Sequence, residues 1–269
     1  MTLPLPLPIR APARGWRQLA IATGLAAVLA TPAAADEASA RQLVKAMSDY
    51  VAAQTAIAFG YTSTLDVITT DGLTIGLASS GTVALVRPDR FRITRTGGFA
   101  DVEMVFDGQT ASLLGKNINA YAEIEAPGSI DQLIDTLRET YNLSPPGADL
   151  LTANPGSALA GSITAALDLG SGVINGLECD HVALRAEDVD VQIWIAQGDA
   201  PHPCRLVITS KAVDGAPRYS VDISDWQTGD AVPATDFTFT APAGATAVDL
   251  AELADIDELP SHFTPGDAK

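Results

Sequence analysis

The chain has few of the side chains that usually carry catalysis. Its 269 residues include three histidines and two cysteines. The G-x-S-x-G elbow of serine hydrolases, the phosphate-binding loop, the glycine-rich dinucleotide motif and the H-E-x-x-H zinc motif are all missing from the sequence. We therefore expect a protein that is not an enzyme, with no catalytic residue and no cofactor.

Positive charge is also scarce. The chain has 16 basic and 33 acidic residues, which gives a net charge of −17. Such a surface repels phosphate backbones and anionic head groups, so the composition argues against nucleic acid as a partner and against tight binding to a membrane surface. A hydrophobic content of 47% with 18% charged residues excludes a disordered chain.

The longest apolar run, Leu19 to Ala30, is much shorter than the roughly 20 residues that a membrane span needs. It follows three arginines and precedes Ala33-Ala34-Ala35, an order typical of a secretory signal peptide. We expect residues 1–35 to be cleaved on export to the periplasm, an uncleaved anchor being the alternative. The new N-terminus, Asp36, has no cysteine nearby to carry a lipid, so we expect no stable membrane anchor. Loss of the three arginines changes the net charge from −17 to −20.

The remaining sequence alternates between two periodicities. Ser39 with Gln42, and Ser129 with Gln132, are capping boxes that each precede apolar residues at helical spacing, and the second predicted helix reaches Tyr141. Elsewhere apolar residues alternate with period two, and turn dipeptides separate the runs. These dipeptides are Asp71-Gly72, Asp107-Gly108, Asn175-Gly176 and Asp214-Gly215.

These elements predict an α+β protein that is mainly β. We expect residues 36–245 to form a single large curved antiparallel sheet, or half-open barrel, of about 11 strands. The N-terminal helix and a central helical lid would close its concave face, and Pro127-Gly128 and Pro146-Gly147 could act as hinges of the lid. Residues 246–269 are expected to be an acidic tail, solvated or loosely docked.

A sheet too curved to be filled by its own side chains leaves a cavity for an apolar ligand. The alternative is a solid core, and the sequence leaves both open. The candidate ligand-binding residues, on one face by parity or on the lid, are Leu65, Val67, Leu73, Ile75, Val83, Leu85, Phe91, Ile93, Met104, Phe106, Leu133 and Leu137.

The two cysteines flank one predicted strand, Val189 to Ala196. A meander would place the Cα atoms of Cys179 and Cys204 about 9.6 Å apart, at roughly 4.8 Å per strand. A disulfide needs a separation within roughly 7 Å, so we expect free thiols. With His181 and His202 they would form a Cys₂His₂ set only if their strands were adjacent, and we expect no metal site.

Arg90, Arg92 and Arg95 form a basic stripe along one predicted strand. Protection of an edge strand by charge explains the stripe, and a site for an anion or a partner is the alternative.

Six motifs spread along the chain resemble those of an uncharacterised family. They are Val86-Arg-Pro-Asp-Arg-Phe-Arg92, Phe106-Asp-Gly-Gln-Thr110, Ala126-Pro-Gly-Ser-Ile-Asp131, Val191-Gln-Ile-Trp194, Cys204-Arg-Leu-Val-Ile-Thr209 and Phe237-Thr-Phe-Thr240. Over about residues 38–245 the chain resembles the predicted periplasmic proteins of domain-of-unknown-function family 2092. That family is similar to the LolA/LolB-like lipoprotein-localisation superfamily, which implies a half-open antiparallel barrel with a helical lid over an apolar cavity. The superfamily includes a lipoprotein carrier, an anchored receptor and a stress regulator, so it implies function only weakly, and no site residue is carried over.

Two functional hypotheses follow. The first is a soluble, non-catalytic periplasmic binding module that shelters a lipid, an acyl chain or another apolar group in the cavity. The second is a protein-interaction or envelope-stress sensor module with a solid core, whose edges or tail bind an envelope protein partner. A small hydrolase is disfavoured by the missing motifs.

Overall fold

The computed structural model describes residues 37–98, 100–141, 143, 147–156 and 163–253. Its strands are β1 (Ala56–Ile68), β2 (Thr74–Val86), β3 (Arg90–Gly97), β4 (Asp101–Phe106), β5 (Thr110–Gly115), β6 (Ala120–Glu125), β7 (Ala165–Ile174), β8 (Leu177–Arg185), β9 (Val189–Ala196), β10 (Pro203–Ser210), β11 (Arg218–Thr228) and β12 (Thr246–Ala247). They form one sheet in the order β12-β6-β5-β4-β3-β2-β1-β11-β10-β9-β8-β7. The predicted mainly-β fold with a single curved sheet and a helical insert is confirmed.

The sheet has one strand more than expected. β12 contains two residues and pairs in parallel with β6, whereas the other neighbouring strands pair antiparallel. Two residues are too few to give a periodic signal, so this strand could not be found in the sequence.

The four turn dipeptides connect β1 to β2, β4 to β5, β7 to β8 and β10 to β11, as predicted. Asn175 and Gly176 both have positive φ, 50° and 85°, as a type I′ turn requires. These local turns therefore account for four of the nine hairpin connections between consecutive strands of the described residues.

The first helix, α1 (Glu37–Ala52), packs against β7, β8 and β9. It begins before Ser39, so the prediction that Ser39 caps it is wrong. The Ser39 hydroxyl instead donates to Asp168 Oδ2 on β7 at 2.7 Å, which lowers the pKa of Asp168. The buried stripe of the helix consists of Ala40, Val44, Met47 and Val51.

The second helix, α2 (Ile130–Tyr141), has the predicted capping box. The Ser129 N–H donates to Gln132 Oε1 at 2.8 Å, and the Gln132 N–H donates to Ser129 Oγ at 3.3 Å. A 3₁₀ turn (Ala148–Leu151) follows, and the Arg138 guanidinium joins α2 to it through Asp149 at 2.6 Å. The buried stripe of α2 consists of Ile130, Leu133, Ile134 and Leu137.

The prediction of free thiols is wrong, because Cys179 and Cys204 form a disulfide. The predicted strand order is correct, since β9 lies between β8 and β10. However, Cys179 pairs with Ala196, the last residue of β9, and a register shift between Pro203 and Arg205 makes Cys204 an extra residue on β10. Such a bulge bends its strand, and the Cα atoms are 6.9 Å apart rather than the distance expected for a regular sheet.

The two histidines near the disulfide have aromatic neighbours. The His181 ring stacks on Trp194 and the His202 ring stacks on Trp226, with centroid distances of 3.9 and 5.0 Å. In the described part of the chain, no group of three or more His, Cys, Asp or Glu side chains is arranged to hold a metal ion.

The segment after β11 docks on the sheet. Arg92 on β3 donates to the carbonyls of Asp236 and Thr238 at 2.7 and 3.0 Å. Beyond β12, a short helix α3 (Leu250–Leu253) places Leu253, 2% exposed, in a cluster with Ala120. The described start of the expected tail therefore docks on β6 through β12 and Leu253, although Thr246 and Ala247 are exposed, and residues 254–269 lie outside the described residues.

The predicted signal peptide, residues 1–35, also lies outside the described residues. Among the helices of the described part, none is long and apolar enough to cross a membrane.

Candidate functional site

A cavity of about 290 Å³ lies between the concave face of the sheet and the helical insert. Its floor comes from β1 to β4 and from β11, and its roof comes from α2 and the 3₁₀ turn. Side chains on a strand point alternately to the two faces, so the cavity collects every second residue of each floor strand. The result is a lining of mainly large apolar side chains.

Seven of the candidate residues line this cavity. They are Leu65, Val83, Phe91, Ile93, Met104, Leu133 and Leu137. Leu85 and Phe106 lie next to it in the fully buried core, where the Phe106 ring is 5.7 Å from the Phe91 ring.

The other three candidates, Val67, Leu73 and Ile75, lie apart from the cavity. The β1–β2 hairpin extends beyond its neighbours, because β11 pairs with β1 only as far as Leu65 and β3 pairs with β2 only as far as Ser79. Val67 and Ile75 oppose each other in this extension. Leu73 lies in the turn before β2 and is 60% exposed.

The candidate set omitted the β11 part of the floor. Tyr219, Val221 and Ile223 line the cavity because β11 pairs with β1. Their alternation is visible in the sequence, but alternation does not reveal which distant strand is the neighbour. Leu150 and Leu151 were also missed, since they lie in a 3₁₀ turn without strand or helix periodicity.

One part of the lining is polar. The Tyr61 hydroxyl donates to the Thr94 carbonyl at 2.9 Å, passing over Gly81. A Cβ atom on Gly81 would lie 1.8 Å from that carbonyl oxygen, so glycine is required there. In the neighbouring row, the hydroxyls of Ser63 and Ser79 are 2.8 Å apart and hydrogen-bonded.

The basic stripe does not protect an edge, so that prediction is wrong. β3 lies inside the sheet, between β2 and β4. Arg92 pairs with Glu103 and holds the C-terminal segment, while Arg90 lies 5.7 Å from the centre of the Phe237 ring. Arg95 is an odd number of residues away from Arg90 and Arg92, so its side chain lies on the opposite face of β3. There it is half-buried and lines the concave cavity.

The convex face has a second, more polar depression of about 660 Å³. A cross-strand row runs through it, in which Trp194 lies between His181 and Arg205, and Arg205 binds Asp222 at 2.6 Å. The hydrogen bond that Arg205 donates to the Asp222 carboxylate raises the pKa of Arg205, and burial lowers the pKa of His181. Hydroxyls and internally paired charges are typical of the water-facing side of an antiparallel sheet. The concave cavity is therefore the candidate site.

The sequence of residues 40–251 matches the family described as predicted periplasmic protein, DUF2092. The chain belongs to this family. The description agrees with the predicted location, while cleavage after Ala35 stays a prediction. No protein of curated function matches this DUF2092 chain.

Several solved structures are similar to this DUF2092 protein at low identity. LprF from Mycobacterium bovis is 11% identical with a TM-score of 0.44, and the match covers 78% of this chain and 100% of LprF. An uncharacterized conserved protein from Thermus thermophilus is 9% identical with a TM-score of 0.43, over 78% and 99% of the two chains. A LolA superfamily protein from Nitrosomonas europaea is 13% identical with a TM-score of 0.36, over 74% and 97%. These likenesses assign neither a ligand nor a role to the present chain.

Proposed function

We propose that this protein is an exported periplasmic binding protein that shelters the apolar chain of a lipid in the concave cavity, without catalysing a reaction. The observation that carries the proposal is the apolar cavity beneath α2. Its floor residues Phe59, Ile93 and Met104 are large, apolar and only partly buried. A ligand that removes this surface from water gains about 25 cal/mol per Å², before the entropy cost of binding.

The size of the cavity suggests how a ligand enters. Its 290 Å³ lies at the lower end of the roughly 300–1,000 Å³ typical of ligand sites, so a long chain needs further room. Lifting α2 would provide that room. Gly128 and Gly147 flank the insert with φ of 145° and 79°, conformations that favour glycine, and they are the proposed hinges. Pro146 lies outside the described residues.

Export completes the proposal. The basic and apolar segments before Ala35 are expected to direct secretion, and the mature chain then begins at Asp36. Mass analysis of the exported protein tests this, since a chain that retains Trp16 would contradict it.

Filling the cavity tests the binding function. Ile93→Trp places a larger ring on the cavity floor, whereas Thr96→Trp adds the same ring on the opposite face of β3. We expect Ile93→Trp to weaken binding of the apolar dye N-phenyl-1-naphthylamine at least about tenfold, a loss of roughly 1.4 kcal/mol, with its circular dichroism unchanged. Thr96→Trp should bind like the wild type. Equal dye binding by all three proteins would refute the cavity as the site.

A second candidate function has its own observation. β7 is an end strand of the sheet, and large apolar side chains are exposed on it: Leu167, Leu169 and Val173, at 46%, 47% and 66%. Among the described strands β7 has a neighbour on one side only, and such an exposed apolar edge favours a protein partner that adds a strand. Native mass spectrometry of the periplasmic protein separates the two functions. A co-purified lipid supports the first, and a co-purified polypeptide that Leu167→Lys removes supports the second.

A further inference from the structure

An apolar row of side chains continues from the cavity onto the free end of the β1–β2 hairpin. Leu65 lines the cavity and pairs with Leu77 on β2. Two residues further out, Val67 pairs with Ile75. Directly paired residues, and residues two apart on one strand, lie on the same face of a sheet. The concave face of the hairpin end therefore carries an outer row, which consists of Val67, Ile75, Leu77 and, just before β2, Leu73.

In the described part of the chain, the outer row is not packed into the core. Its members belong to none of the buried apolar clusters that the described residues form. β11 pairs with β1 only as far as Leu65, and β3 pairs with β2 only as far as Ser79, so neither strand flanks the hairpin end. Leu73 is 60% exposed and the other members are partly exposed. A two-stranded hairpin is only marginally stable in water, so this apolar face favours an occupant.

The opposite face of the hairpin end has a different composition. It carries polar or small residues, namely Thr64, Asp66, Gly76 and Ala78. Ile68, an apolar residue on that face, lies over Gly215 in the turn between β10 and β11. The outer row thus places large apolar side chains on the cavity side of the hairpin. From Leu77 to Leu73 it extends the apolar floor by about 13 Å, at roughly 3.3 Å per residue.

We propose that the outer row binds the part of a long acyl chain that the cavity does not hold, so that the protein selects long chains over short ones. The inference rests on the proposed binding function and defines the chain length of its ligand. A cavity of about 290 Å³ is small for a long chain, and the outer row continues it directly. Lifting α2 admits the chain, and the outer row keeps the remaining methylene groups out of water once α2 has closed.

The charge of the hairpin end disfavours a membrane as the occupant of the outer row. Asp66 and Asp71 lie on the hairpin end, and the whole chain has a net charge of −17. Both repel a surface of anionic head groups. A single chain that already lies in the cavity meets no such barrier.

Displacement of N-phenyl-1-naphthylamine by octanoate and by hexadecanoate tests the proposal. The proteins compared are the mature wild type, Val67→Ser with Ile75→Ser, Val67→Leu with Ile75→Leu, and Leu169→Ser with Val173→Ser. The last is the matched control, because it removes the same number of exposed apolar side chains from the end strand β7. The serine pair in the outer row should weaken hexadecanoate at least about tenfold and leave octanoate unchanged, because only the longer chain reaches the row. The leucine pair and the control should bind both ligands like the wild type.

Amide hydrogen exchange provides a measurement on the wild type alone. Hexadecanoate should slow the exchange of residues 65–77, because a chain that lies on the hairpin excludes water from it and opposes its opening. Octanoate should leave the exchange of this segment unchanged.

Other results overturn the inference in distinguishable ways. If the serine pair binds hexadecanoate as tightly as the wild type, the chain lies wholly beneath α2, and the binding function stands without the outer row. If the serine pair weakens octanoate and hexadecanoate equally, the row supports the cavity and does not contact the chain. If the wild type binds phosphatidylcholine vesicles through the row while hexadecanoate affinity is insensitive to it, the row is a membrane contact. If neither fatty acid displaces the dye, the proposed binding function itself fails.

Discussion

The two helices cover the same sheet but pack on it differently. Beneath α1 the sheet is filled by fully buried side chains such as Ile57, Leu85 and Ile195, and the void beside Met47 measures about 10 Å³. Beneath α2 the cavity measures about 290 Å³. The apolar stripe of α2 is itself buried, so α2 is packed on the sheet. The unfilled space therefore arises because the side chains of the sheet floor do not fill the volume beneath α2. One sheet thus combines a solid core, which supports stability, with an unfilled region that is available for binding.

Substitution of one methionine beneath each helix by alanine tests this difference in packing most directly. Met47→Ala removes a fully buried side chain beneath α1 and should cost about 2–5 kcal/mol in the free energy of unfolding. Met104→Ala enlarges an existing cavity from a half-buried position, and we expect less than about 1.5 kcal/mol. Alanine has a higher propensity for helices than for strands, so propensity alone would make Met104→Ala, on strand β4, the more costly substitution. The expected difference in packing must therefore exceed this opposite effect. Denaturant titration measures both, and equal losses would show that the two regions are packed alike.

A charge beneath the lid should separate an open cavity from a solid interior. Leu133→Asp places a carboxylate at a fully buried position of α2, and we expect the lid to open. Binding of the dye ANS should rise severalfold while the β-sheet circular dichroism is retained. Thr140→Asp, on the exposed side of α2, should behave like the wild type. Loss of the sheet signal in Leu133→Asp would favour a solid core and the partner-binding function.

The smallest expected effect is a pH dependence in the filled region. Burial lowers the pKa of His202, which stacks on Trp226, below its usual 6.5. As the pH falls through 6.5, His202 is therefore protonated in the unfolded chain before it is protonated in the folded one. The free energy of unfolding should decrease below that pH and stay constant above it. The lowered pKa values of Asp168 and Asp190 matter only in more acidic solution, below their usual 3.8. Melting temperatures between pH 8 and pH 5 measure the effect, and His202→Gln should reduce the slope.

Structural features that depend on neighbouring residues could be predicted from the sequence, whereas those that depend on distant residues could not. The capping box at Ser129 and the turn at Asn175 depend on a few adjacent residues, and both are confirmed. The disulfide depends on a bulge at Cys204, which no residue pattern marks. For the same reason only a third of the cavity lining was in the candidate set, whereas Tyr219 and its neighbours on β11 required knowledge of the strand order.

The pairing of β1 with β11 has a consequence for how the protein acquires its fold. From β2 to β6, and again from β7 to β11, each strand pairs with the next strand along the chain, so these two meanders can form from local contacts. In the sheet of the described residues, the ladder that joins these two meanders is β1–β11, which aligns Ile57 with Thr228. Contacts between residues so distant in sequence form slowly, because closing the intervening loop costs entropy. We therefore expect a chain that forms its N-terminal strands first to carry an unsatisfied β1 edge until β11 has followed, and this edge is open to non-native strand pairing in the meantime.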